Sequence, residues 1–186
     1  ASLLLTSIEK AEEMGVDPNR WVFLHGASDV TDVWNVSYRE NFYSSPSMKI
    51  MGENALNMAG LEINDIRHLD LYSCFPSAVQ IARNELGIPK DDQRHLTVTG
   101  GLPFHGGAGN NYVMNSIAAM ADKLRSDRGS FGMVTANGGY ISKHAAGIYS
   151  TKPLESDWNR ESSPVIELTT EDIRSPEFTE MPTGDA

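Results

Sequence analysis

Residues 99–111 read Thr99-Gly100-Gly101-Leu102-Pro103-Phe104-His105-Gly106-Gly107-Ala108-Gly109-Asn110-Asn111, five glycines around one histidine. Glycine admits positive φ and close backbone approach. Histidine exchanges protons near neutral pH. The stretch runs into an amphipathic helix, whose start offers unpaired N–H groups and positive potential. Together these are the parts of a site for a developing oxyanion or an acidic ligand. Taken alone, the segment leaves a second reading open, a tight turn whose histidine is merely hydrogen-bonded. It is not a dinucleotide fingerprint, because Tyr112 stands where the third glycine belongs, and no Gly-Lys-Ser/Thr follows to make a P-loop.

The helix after the loop carries Val113, Ile117, Met120, Ala121 and Leu124 on one face. Asn110 or Asn111 is placed to cap it, and Lys123, Arg125 and Arg128 suit its negative end. Upstream, Leu96–Thr99 is short, β-branched and apolar, which predicts a strand. Further outward the spacing predicts a strand over 2–6, a helix over 8–14 stopped by Gly15, and a strand over 21–25. Residues 27–44 read as a long surface or interface loop. Ser45-Pro46 then opens a helix that ends at Gly60, a strand runs over 69–72, and Phe75-Pro76 leads into another helix stopped by Gly87. A strand over 132–136 meets the turn signal Asn137-Gly138-Gly139, and a further strand follows. Strands alternating with helices predict a layered α/β domain.

The chain has 186 residues, 40% of them apolar, enough for one compact core and a tail. No apolar run is long enough to span a bilayer, and no signal-peptide pattern is present. The opening Ala1-Ser2-Leu3 in place of methionine reads as a fragment or a trimmed start. Cys74 is the single cysteine, which excludes an internal disulfide and fits a reducing, cytoplasmic setting. A net charge of −10 and a pI near 4.9 argue against nucleic acid as a partner. Residues 151–186 hold nine acids against three bases and read as an acidic linker or the start of a further module. No zinc or calcium ligand spacing occurs, and no metal is expected.

Three signals now stand in order: Leu71-Tyr72-Ser73-Cys74-Phe75, then Gly100-Gly101 with His105, then Ala136-Asn137-Gly138-Gly139. This order resembles the C-terminal half of the thiolase superfamily. There a strand end carries Asn-Glu-Ala-Phe, or His-Asp-Cys-Phe in the sterol-carrier type. Gly-Gly…Gly-His-Pro comes next, and then Cys-x-Gly-Gly-Gly. The flanks Ala1–Ala11 and Ala55–Ile66 agree, so the resemblance covers roughly residues 1–150. It implies an α-β-α layered domain with a mixed sheet over 17–150, preceded over 1–16 by the end of the N-terminal thiolase half. It also implies acyl transfer through a cysteine of that half, with a coenzyme A thioester as substrate and no permanently bound cofactor. Partners implied are the acyl-CoA, the N-terminal half, and a homodimer or hetero-assembly.

Carried over residue by residue, the Gly-His-Pro role falls on His105, which activates the cysteine and binds the thioester oxygen. Gly138 and Gly139 supply backbone N–H groups to an oxyanion hole, and Gly106, Gly107 and Asn137 line the ligand site. The chain departs from the family at defined points. Tyr72 and Ser73 replace the Asn/His and Glu/Asp pair. Gly106 replaces the proline, and the gap after Gly100-Gly101 is two residues shorter. Ala136 or Thr135 stands at the second catalytic cysteine, and neither can return a proton to a carbanion. Tyr72 is then either an acid/base or an aromatic plug. Cys74 falls on a structural position, and His144, a few residues past the glycine turn, reads as a strand-surface residue, with the lining of the same pocket as the alternative. Besides an acetyl-CoA acetyltransferase-like enzyme of lipid metabolism, the residues leave two readings open. One is a retro-aldolase on CoA thioesters that uses Tyr72; the other is a non-catalytic acyl-CoA-binding scaffold.

Overall fold

The computed structural model describes residues 1–155, 166–177, 179 and 183. Helix α1 (Ile8–Glu13) begins behind Ser7, whose hydroxyl accepts the Lys10 N–H at 3.2 Å. Strand β1 (Phe23–Thr31) passes through a turn at Val36–Tyr38 into α2 (Pro46–Ala59). Ser45 caps α2, Pro46 is its first residue and Gly60 closes it, as the sequence predicts. Next come β2 (Ile66–Asp70), α3 (Pro76–Glu85), the single turn α4 (Leu102–His105) and α5 (Tyr112–Ser126). The hairpin of β3 (Phe131–Gly138) and β4 (Lys143–Ser150) follows, then the short β5 (Ile166–Glu167).

The five strands lie in the order β2-β3-β4-β1-β5. β2 runs parallel to β3, β4 antiparallel to β3 and β1, and β5 parallel to β1. Successive strand residues point to opposite faces, and the core divides accordingly. Met133 and Ile148 pack with Met51, Ala55 and Ile81 under α2 and α3. Their neighbours Val134 and Tyr149 pack with Met120, Leu124 and Ile117 of α5. The mixed sheet between helical layers is the α/β architecture read from the sequence. Among the described residues no helix is long and apolar enough to cross a membrane.

Several local expectations are corrected. Residues 2–6 form no strand; Leu4 and Leu5 stand exposed. Residues 27–31 belong to β1 rather than to a loop. Leu96–Thr99 does not zip onto β2. It gives one backbone bond, Leu71 N–H to Leu96 O at 2.8 Å, and the Thr99 N–H goes to the Asp70 carboxylate instead. No asparagine side chain caps α5; Gly109–Asn111 forms a 3-10 turn before it. Much of the acidic segment after residue 155, residues 156–165 included, lies outside the described residues.

β1 and α2 meet at Gly26. A Cβ there would stand 2.2 Å from the Ala55 carbonyl oxygen and 3.2 Å from the Ala59 nitrogen, both main-chain atoms. A side chain cannot rotate away from a backbone oxygen, so the helix must lift. Gly26→Ala is expected to cost roughly 3 kcal/mol, measured by urea denaturation. A loss within about 0.5 kcal/mol would show that α2 does not rest on this strand as described.

Candidate functional site

The parallel strands β2 and β3 end on the same side of the sheet, and the three sequence signals meet there. The chain leaves β2 through Leu71-Tyr72-Ser73. The Tyr72 N–H donates to Thr135 Oγ1 of β3 at 2.9 Å. Two residues on, Cys74 Sγ accepts from Asn137 Nδ2 at 3.6 Å. The strand-end motif is thus tied at two points to the segment that carries the Asn-Gly-Gly turn.

The glycine-rich loop is anchored to the same strand end. Asp70 Oδ2 accepts the Thr99 N–H at 2.8 Å, and Thr99 Oγ1 lies 2.7 Å from the Tyr112 hydroxyl. Ser73 Oγ accepts the Leu102 N–H at 2.9 Å, holding the first turn of α4. Gly101 sits between them at φ +87, and a Cβ on it would meet Ser73 Oγ at 2.9 Å. Both its conformation and the space beside it therefore require glycine.

Tyr112 is the hub of the loop. It is completely buried at the start of α5, where the sequence reading used it only to exclude a dinucleotide site. Its ring stands edge-on to Tyr72, with centroids 5.5 Å apart, and edge-on to His105 at 5.8 Å. The loop brings His105 to Tyr72 through this one shared ring. His105 itself is exposed at the end of α4, and Gly106 and Gly107 beyond it face open space.

Burial, with Cys74 and Tyr112 as lesser causes, pushes the Tyr72 phenol above its ordinary pKa. Burial thus favours the protonated form of the phenol. Asp70 is also pushed up by burial, against the Thr99 N–H bond that favours its charged form.

Tyr72 also lines a narrow cavity with Met48, Met51, Thr135, Ala136, Asn137 and His144. His144 corrects the surface reading, because only 2% of it is exposed. It lies opposite Asn137 across the β3–β4 hairpin, and its Nε2 is 3.4 Å from Ser45 Oγ. Behind it, Ser45 and Ser47 both donate to Asp32 Oδ2, at 3.2 and 2.5 Å. Arg39 stands 3.9 Å from the same carboxylate and donates to the Tyr140 carbonyl at 2.9 Å. The Asp32 N–H donates to the Ser142 carbonyl at 2.8 Å. These bonds pin the turn after Asn137, in which Ile141 holds a φ of +57. A β-branched residue adopts that conformation only where its surroundings impose it.

Burial drives the His144 pKa down to about 4, while Asp32 pulls the other way. The Ile141 carbonyl also favours the protonated ring, without the alignment of a hydrogen bond: Nδ1 has no partner among the described residues.

Structural comparison decides the lineage. The monomeric SCP2-thiolase-like protein type 1 of Mycobacterium smegmatis superposes with a TM-score of 0.76 at 43% identity, over 82% of this chain and 33% of that one. The chain belongs to the thiolase superfamily. The acetyl-CoA acetyltransferase of Syntrophomonas wolfei shares the fold, with a TM-score of 0.61 at 15% identity over 78% of this chain and 35% of that one. This thiolase-superfamily chain spans about a third of the length of each. No family model and no curated protein sequence matches it.

Within that lineage, Tyr72, His105, Asn137, Gly138 and Gly139 come from the three ordered motifs, while Tyr112 and His144 emerge only in three dimensions. Ala136 presents no ionisable group to the cavity it lines, and Cys74, half-buried against Asn137, makes a structural contact.

Proposed function

We propose that the chain is the histidine-bearing part of a thiolase-like acyltransferase acting on coenzyme A thioesters. The observation that carries this reading is the joining of the three motifs at the ends of β2 and β3: Tyr72 to Tyr112 to His105 by ring contact, and Cys74 to Asn137 by hydrogen bond. In an open α/β sheet, ligands bind beyond the carboxyl ends of parallel strands. In this reading the nucleophilic cysteine belongs to the N-terminal half that the family resemblance implies. His105 takes the thiol proton through an unprotonated imidazole nitrogen. The N–H groups of Gly138 and Gly139 stabilise the thioester oxyanion, a role that needs only the turn and no side chain. Gly106 and Gly107 let the pantetheine arm approach the backbone closely.

A second reading rests on Ala136 and Tyr72. Ala136 cannot return a proton to a substrate carbanion, whereas Tyr72 lines the same cavity and keeps its proton. A retro-aldol cleavage of a β-hydroxyacyl-CoA uses that proton directly. The β-hydroxyl gives its proton to water as the carbon–carbon bond breaks, a ketone or aldehyde leaves, Tyr72 protonates the enolate that remains, and water returns the proton to the Tyr72 phenolate.

Two assays on the full-length protein separate these readings. Acyl transfer predicts that a β-ketoacyl-CoA is cleaved with stoichiometric consumption of free coenzyme A. Retro-aldol chemistry predicts release of a ketone or aldehyde from a β-hydroxyacyl-CoA with no free coenzyme A consumed. Calorimetric binding of coenzyme A without turnover of either substrate class overturns both and identifies a binding scaffold.

A further inference from the structure

We propose that a second, cation-lined cavity at the free edge of the sheet binds a phosphate group. It lies between β2, the segment 92–98 and the end of α5, with a volume of about 540 Å³. That size falls in the range of small-ligand pockets. It shares no residue with the cavity beside Tyr72.

The cavity exists because of Arg94. Its Nη1 donates to the Ile63 and Ile66 carbonyls at 2.7 and 2.6 Å. Its Nε and Nη2 grip the Asp92 carboxylate, the closest contact being 2.6 Å. The guanidinium props the segment away from the start of β2, and the chain rejoins the strand only at the Leu71–Leu96 bond. The expected strand over 96–99 fails to zip, and the gap becomes a binding space.

The charge of the gap is opposite to that of the chain. Arg67, Arg94 and Lys123 surround it against one acid, Asp92, in a protein of net charge −10, and His68 and His95 complete the polar lining. The acids nearby already have partners: Arg94 holds Asp92, and His68 meets Asp127 at 2.7 Å. Arg67, which also feels the Asp127 carboxylate, and Lys123 are exposed cations on two different elements, and Gln93 and Thr97 add neutral hydrogen-bonding groups to the lining. An Arg fork, an ammonium and neutral donors together suit the tetrahedral oxygens of phosphate better than a planar carboxylate. Arg67 on an edge strand has an alternative use, discouraging pairing with another chain, and the experiment separates the two.

Isothermal titration of the full-length protein with inorganic phosphate, at constant ionic strength against sodium chloride, is expected to give saturable binding at about 1 mM or tighter. The double variant Arg67→Gln, Lys123→Gln weakens it about tenfold or more. Lys49→Gln removes an exposed charge from α2, on the opposite face of the sheet, and leaves it unchanged. Both altered cavity residues are exposed, so folding survives, and circular dichroism checks this. Should the double variant aggregate, Lys123→Glu alone carries the test. Glycerol phosphate and coenzyme A then compete for bound phosphate. Displacement by the first identifies a small phosphomonoester as the source, and displacement by the second identifies the phosphates of coenzyme A. Absence of phosphate binding, equal competition by chloride, or unchanged binding in the variants overturns the proposal. Aggregation of an Arg67→Gln single variant with phosphate affinity intact would instead assign Arg67 to edge protection.

Discussion

Replacing His105 by alanine in the full-length protein is expected to lower thioester turnover by about 10²- to 10⁴-fold, the range of a lost general base, while leaving stability nearly unchanged. The two halves of this expectation come from the same geometry. His105 is exposed, ends a single turn of helix, and makes one ring contact, with Tyr112. Surface substitutions of that kind stay within about 0.5 kcal/mol, so an activity loss on this scale reports chemistry rather than unfolding. Tyr72→Phe is the matched comparison. It keeps the edge-to-face packing on Tyr112 and removes only the hydroxyl. In an acyltransferase, His105→Ala is the damaging change and Tyr72→Phe a mild one; in a retro-aldolase, Tyr72→Phe is damaging because the enolate loses its proton donor. Urea denaturation of each variant beside the kinetic assay completes the measurement. Equal turnover in parent and His105→Ala removes His105 from the chemistry.

What was legible in the sequence follows from the size of the residues that do the packing. Met51, Met133 and Ile148 are large, and the elements they build are found by periodicity. Along β1 the same period is present, but the buried positions are Gly26, Ser28 and Val30. Two of these are small because α2 approaches so closely at Gly26, and a period written in small residues reads as a loop. The stretch Leu96–Thr99 has strand composition, but the Asp70 carboxylate takes the Thr99 N–H that a ladder would use. Residues 2–6 have a strand's composition, yet they lie outside the five-stranded sheet.

At the site, the motifs give Tyr72, His105 and Asn137 directly. Tyr112 and His144 carry no motif. Their roles depend on partners far along the chain, Tyr72 for one and Asp32 and Ser45 for the other. Ser142-Lys143-His144 reads as surface. Strand alternation turns Lys143 outward and His144 inward, and the signal for that inward face was the polar set Asp32, Ser45 and Ser47 waiting to meet it.

His144 also makes the protein acid-sensitive in a defined window. Its folded pKa is about 4, below its ordinary value of 6.5. In the folded protein the ring stays neutral, while in the unfolded chain it takes up a proton as pH falls through 6.5. The unfolded state then binds more protons, so stability falls with pH across the interval and levels off below about 4. The full interval corresponds to up to about 3 kcal/mol. Asp70 acts with the opposite sign: its raised pKa favours the folded state as the pH drops toward the ordinary carboxylate range. The two contributions separate by difference. Urea denaturation at pH 7 and pH 5 is expected to show a steeper loss in the parent than in His144→Gln, which keeps a hydrogen-bonding group toward Ser45 and cannot titrate. The difference between the two slopes belongs to the imidazole alone, whatever stability the substitution itself costs at pH 7. Parallel slopes would mean that His144 takes up its proton in the folded state as readily as in the unfolded one. The buried network of Asp32, Ser45 and Ser47 would then be open enough to solvate a charge. The turn it pins, with Ile141 held at positive φ beside Gly138 and Gly139, would lose the rigidity that the proposed oxyanion hole requires.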